Sequence, residues 1–294
     1  MGMVFIFFAV SILSCTAGSI CGIGGGVIIK PVLDATGIMG VSSISFLSGC
    51  TVLAMSLVSV WKNLRAGTAK MDVGISTALA VGAAAGGVAG KAMFQSLKNA
   101  VGDENLVGMT QALVLIVITL GTLVYTICKE KIRTKHCRQI WLCVLIGLVL
   151  GIMSSFLGIG GGPINLVVLG YFFSMSTKEA ALSSLYIILF SQITSFVQTC
   201  VTGTIPDVEL VYLVFMIIGG VLGGTIGSRI NKKISEKGVD RLFIFLMAVI
   251  VVINIYNAIK FGVGGGFSAP PIIKFCIFFF MRFLFNGGAG RHPR

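Results

Sequence analysis

Apolar residues fill the chain in long unbroken runs, and polar residues gather in short gaps between them. The runs cover 4–21, 27–35, 41–61, 71–94, 107–128, 139–157, 163–174, 180–201, 208–229 and 241–260. They are continuous, without the in-out alternation of a membrane barrel. A bilayer gives the backbone no water to bond to, so segments of this kind are helical wherever lipid touches them. Eight are long enough to cross a hydrocarbon core of about 30 Å, whereas 27–35 and 163–174 are too short. Both short runs directly follow a cluster of glycines.

The pattern occurs twice. GIGGG stands at Gly22–Gly26 and again at Gly158–Gly162, an offset of 136. Ala66-Gly67-Thr68 and Thr202-Gly203-Thr204 share that offset. Gly82, Gly86, Gly87 and Gly90 match Gly219, Gly223, Gly224 and Gly227 at an offset of 137. Each half therefore reads as a long segment, a glycine break, a short segment and three more long segments. Glycines spaced by three and four let helix backbones approach closely in lipid, which gives the last set a packing role.

Charge sets the orientation. The segment 129–138 holds five basic residues and one acid, and 229–241 holds five and two, so both are expected on the cytoplasmic side. The loop 62–70 carries Lys62, Arg65 and Lys70, whereas its counterpart 202–208 carries only Asp207. Equivalent loops thus fall on opposite faces. The expected fold is an all-α polytopic membrane protein with two inverted-topology repeats, each a glycine-broken helical hairpin followed by three spanning helices. The divisions are an N-terminal repeat at 1–128, a basic cytoplasmic linker at 129–138, a C-terminal repeat at 139–260 and an atypical tail at 261–294. The first run lacks a basic leader and is read as a mature span.

Candidate chemistry centres on the breaks. Each glycine inside a helix costs about 1 kcal/mol relative to alanine, so two matched triplets call for a reason. A break exposes N–H groups at the start of the next helix, and with the helix dipole these attract an anion. Gly22, Gly24, Gly25 and Gly26 in the first half, and Gly158, Gly160, Gly161 and Gly162 in the second, are the substrate-binding candidates. The same glycines could instead serve only tight turns or helix crossings. Lys30 is the base within the first short run, where a charge is a functional candidate. It could equally snorkel to an interface or pair with Asp34 one turn on. Asn165 holds the matching region of the second half and could supply a neutral hydrogen bond. The helices that follow carry polar seams. Ser48, Thr51 and Gln192 are the candidates there, Gln192 foremost as a long amide in mid-span; interhelical bonding is the competing role.

Composition narrows the function. The chain is 56% hydrophobic and 11% charged, with mean hydropathy +1.01. The net charge of +12 lies in loops beside spans, which argues for topology rather than nucleic-acid binding. Eight cysteines form no CxxC pair and read as small packing residues. With two histidines, one in the linker and one in the tail, no metal site is expected, and no cofactor. No ATP-binding loop, HExxH or paired acids occur, so no catalytic residue is assigned.

The stretches TAGSICGIGGGVIIKPVLD and GLVLGIMSSFLGIGGGPINLVVL resemble the sulfite exporter TauE/SafE family, also called the 4-toluene sulfonate uptake permease family. The resemblance runs to about residue 260; the tail departs from it. It implies a multi-pass plasma-membrane transporter of sulfite, a sulfonate or a related organosulfur anion, not an enzyme. The expected partners are a small anionic substrate and the lipid bilayer, with a homo-oligomer left open. The expected mechanism rocks one half against the other. Two alternatives stand beside it: an anion channel, and a membrane-embedded thiol enzyme with Cys21 as nucleophile.

Overall fold

The computed structural model describes residues 2–66 and 71–262. The loop at 67–70 and the tail run Ile272–Phe285 lie outside the described residues. Within them the chain forms ten α-helices. The first half holds α1 (Gly2–Cys21), α2 (Gly26–Thr36), α3 (Val41–Ala66), α4 (Val73–Val101) and α5 (Glu104–Cys128). The second holds α6 (Ile140–Leu157), α7 (Pro163–Phe173), α8 (Thr177–Val201), α9 (Leu210–Lys233) and α10 (Glu236–Gly262). Eight are long and apolar enough to cross a membrane. The other two, α2 and α7, have 11 residues each, roughly 16 Å of helix.

Every expected run is a helix, and several helices outlast their apolar run. Helix α4 continues through Gln95, Lys98 and Asn99 because nothing there opposes a helix; it stops where Gly102 adopts φ 68°. The polar gaps carry the caps that restart the chain. Asp72 accepts from Ile75 N–H, Asp103 from Asn105 N–H, and Ser176 from Glu179 N–H.

The two halves interlock. Helix α4 lies against α6: a Cβ on Gly82, Gly86 or Gly90 would strike the carbonyl oxygens of Val144, Leu148 and Ile152 in turn. The numbers rise together, so α4 and α6 run parallel. Helix α9 lies the same way on α1, with Gly219, Gly223 and Gly227 against Ser11, Cys15 and Ser19. The glycine stripes are therefore interhelical seams, as the spacing predicts, and each joins one half to the other. Helix α9 also takes α3 into its groove, Gly220 against Thr51 and Gly224 against Met55. Helix α4 takes α8, with Gly87 against Ser191.

Helices α3 and α8 hold equivalent places in the two halves. Phe46 stacks near Phe196, with centroids 6.4 Å apart. Gly49 stands beside Gln192. Positions rise on α3 as they fall on α8, so the two run in opposite directions where they meet. The equivalence extends to single contacts. Gly22 abuts Ala181, and Gly158 abuts Ser45, which is the same contact carried through an offset of 136 in both partners.

The basic segments gather at one end of the bundle. Lys129 bonds Asp240 at 2.5 Å and Thr177 at 3.2 Å, tying the end of α5 to the starts of α10 and α8. Asn63 of α3 and Lys232 of α9 line a cavity at the same end. The linker pairs with the end of α7 through Lys135 N–H to Tyr171 O and Cys137 N–H to Phe172 O. Trp61 and Trp141 are exposed near this end too, where indoles sit at a membrane interface.

These seams predict a graded stability response. Gly86→Leu and Gly223→Leu each force a leucine into backbone of the neighbouring helix. Each is expected to cost about 1–3 kcal/mol or more. Gly121→Leu, at a position open around its Cα, should leave the thermal midpoint of the purified protein nearly unchanged. Equal midpoints for all three variants would refute the seam assignment.

Candidate functional site

Both glycine clusters break their helices. After α1 the chain turns through Gly22 (φ 78°) and Gly24 (φ 77°) before α2 starts. After α6 it turns through Gly158 (φ 66°), Gly160 (φ 70°) and Gly161 (φ 122°) before α7 starts. An L side chain is strained at these angles, which is why glycine recurs there.

The breaks meet each other inside the bundle. A Cβ on Gly26 would strike the carbonyl oxygen of Ile159, and one on Gly24 would come within 3.4 Å of Gly160 O. Ile23, Val27 and Ile159 share one buried apolar cluster. Thus the start of α2 lies against the second break, screened from lipid. Backbone bonding resumes at Ile28, whose N–H reaches Gly25 O at 3.1 Å. In α7 it resumes at Asn165, whose N–H reaches Gly162 O at 3.1 Å. Neither start has a side-chain cap. Gly26 N–H and Val27 N–H, the first two of α2, bond no backbone carbonyl. The second break offers fewer, because Pro163 at its first helical position has no N–H.

Serines of the following long helices stand beside these starts. Ser48 Oγ of α3 lies against Gly26, fully buried and with no hydrogen-bond partner. Its equivalent on α8, Ser184, is bonded by Asn165 Nδ2 at 3.3 Å. Asn165 is 1% exposed and its Oδ1 has no partner. Turning that amide over lets Ser184 donate to Oδ1 and leaves an NH2 group to donate elsewhere. Gln192 reaches the second break, with its carboxamide carbon 3.3 Å from where a Gly160 Cβ would be. It also borders a small cavity of about 40 Å³ with Ser45, Lys91, Gly158 and Ser195.

Other predicted residues lie elsewhere. Thr51 turns to α9, against Gly220, and its hydroxyl donates to Leu47 O of its own helix at 2.7 Å. Gly25 faces Cys15 of α1 rather than the second break. Gly162 is extended (φ −172°), a conformation open to any residue. Lys30 is 3% exposed and bonded to Asp34 Oδ2 at 2.9 Å, so its charge is matched on its own helix. Cys21 is buried among apolar neighbours with its thiol 4.0 Å from Val239 O. Missed from the sequence was Lys91, about two thirds of the way along α4. A lone cation inside a long apolar segment was the available signal, and the glycine stripe beside it took precedence.

The Lys30–Asp34 pair sets a stability prediction. Asp34→Asn leaves a buried ammonium without its counter-ion and should destabilise the protein by about 3–5 kcal/mol. The double change Lys30→Met with Asp34→Leu should recover most of that loss in a thermal or denaturant titration. A single variant as stable as the parent would show that the pair is not held together in the fold.

Comparison with the curated proteins and with the solved structures finds no match. The sequence profile described as Sulfite exporter TauE/SafE matches residues 7–254. That stretch takes in both breaks, both stripes and the linker. With eight membrane-length helices and this match over most of its length, the chain is a multi-pass membrane protein that belongs to the sulfite exporter TauE/SafE family of transporters.

Proposed function

We propose that the protein is a secondary transporter of a small anion in the plasma membrane, with sulfite, a sulfonate or a related organosulfur anion as cargo. The observation that carries this reading is the junction of the two glycine breaks inside the bundle, each leading into an uncapped helix. Their dipoles and free N–H groups supply positive potential without a titrating side chain. Ser48, Asn165 and Gln192 add neutral donors close by. Family membership supports the sulfur anion, and inorganic sulfite or an organic sulfonate would both present oxygens to these donors.

Opposed repeats support alternating access. Helices α3 and α8 run against each other, as inverted halves require. Cavities approach the junction from both ends, and the repeat relates them: Ser45, Ser155 and Thr199 at one end correspond to Ala181, Ser19 and Asn63 at the other. The linker-end cavity holds about 510 Å³ and its counterpart about 40 Å³. Such a pair fits one state of a carrier, wide on the linker side and narrow on the other. The moving bodies are not the sequence halves, because the glycine seams bind α1 to α9 and α4 to α6. In this reading α1, α3 and α9 move against α4, α6 and α8.

The test is flux of labelled sulfite, sulfonates and a wider anion panel in proteoliposomes. Saturable, exchange-capable flux is expected; ohmic conductance would favour a channel, and no flux of any anion would reject the reading. Ser48→Ala removes a hydroxyl that bonds nothing, so stability should hold while flux falls about tenfold. Undiminished flux in that variant would exclude Ser48 from the path.

A further inference from the structure

Lys30 and Lys91 both lie inside helices, and they differ in one respect. Lys30 is neutralised by Asp34 at 2.9 Å. Lys91, among the described residues, has no carboxylate partner; its ammonium stands 5.6 Å from the Phe94 ring centroid, a weak companion for a cation. An unmatched ammonium in a membrane segment is costly unless an anion or water attends it. Lys91 lines the narrow cavity between α3, α4 and α8. Beside it are Ser45, 7% exposed with its Oγ unpartnered, and the Ser155–Ser195 hydroxyl pair at 2.6 Å. The cavity's inner wall is Gly158 and Gln192, the latter touching Gly160 of the second break.

We propose that this cavity is a loading site for a small inorganic oxyanion, with Lys91 as its charged residue. The proposal rests on the transport reading and adds the residue that senses charge. Lys91 and the Ser45 hydroxyl hold the anion at the end of the bundle away from the linker, and Gln192 hands it to the junction. Lys98, two turns further along the same face of α4, bonds Ser42 Oγ at 2.8 Å. The free space of about 40 Å³ is a few times the roughly 10–15 Å³ that a cavity needs to hold a single water. It admits an anion of sulfite size and leaves no room for an aryl group.

The experiment measures sulfite binding to the full chain in detergent micelles by calorimetry, with toluenesulfonate as competitor, alongside sulfite flux in proteoliposomes. Lys91→Gln is expected to weaken sulfite binding at least tenfold, and Lys91→Arg to stay within about threefold of the parent. Ser45→Ala, which removes an unbonded hydroxyl, should weaken binding severalfold with an unchanged thermal midpoint, and it decides the matter if Lys91→Gln does not fold. Toluenesulfonate should not displace sulfite. Parent-like binding in both Lys91→Gln and Ser45→Ala overturns the site, and with flux intact it leaves the transport reading standing. Equal competition by toluenesulfonate overturns the size limit. Absence of both binding and flux in the parent removes both readings.

Discussion

A lipid bilayer leaves no backbone polar group unattended, and this protein interrupts two of its helices in the middle of the fold. That is tolerable only where protein surrounds the interruption. The chain meets the condition by placing the breaks against each other. Gly26 is a glycine because the carbonyl of Ile159 occupies the place of its side chain, and the Ile23 and Ile159 side chains seal the contact from lipid. Most of the architecture follows from holding these two turns together. The short helices need long neighbours to bury them, and the long neighbours need glycine seams to come close enough.

The seams use two economies of membrane packing. Small residues replace the hydrophobic effect, which cannot act between helices already solvated by lipid. Backbone-to-backbone approach then leaves serines to fill the remaining polar needs. Ser19 bonds Ser59 at 2.9 Å and Ser228 at 3.2 Å, linking α1, α3 and α9. Ser76 bonds Ser183 at 3.1 Å, linking α4 and α8. Hydroxyls of this kind are fixtures of the scaffold. Ser48 and Ser45, on one helix with Ser59 and buried as it is, differ in having no hydrogen-bond partner, which is what marks them as candidates for the path.

Much of the fold was readable from the sequence because membrane solvation makes hydropathy decisive. The helices lie where the apolar runs lie, and the duplicated glycines mark the breaks at the right residues. What the sequence hid was direction around each helix axis. Thr51 and Ser48 sit three apart on one polar seam, yet one faces α9 and the other the junction. Gly25 and Gly26 are adjacent and face different helices. Lys30 was prominent because its surroundings were apolar, but its partner lay one turn away; Lys91 was overlooked because its neighbours were glycines with another purpose. Such distinctions depend on helix rotation, which tertiary contacts set and periodicity alone does not.

The crosswise seams also bear on how the chain is made. Helix α1 emerges from the ribosome well before its partner: the glycine face that completes it, on α9, is synthesised some two hundred residues later. Until then Ser11, Cys15 and Ser19 border an incomplete groove in the membrane. The Gly82–Gly86–Gly90 stripe of α4 waits only for α6. Assembly therefore has an order imposed by sequence distance: the α4–α6 seam can close early in translation, whereas α1 must remain inserted and unclasped until α9 has left the translocon.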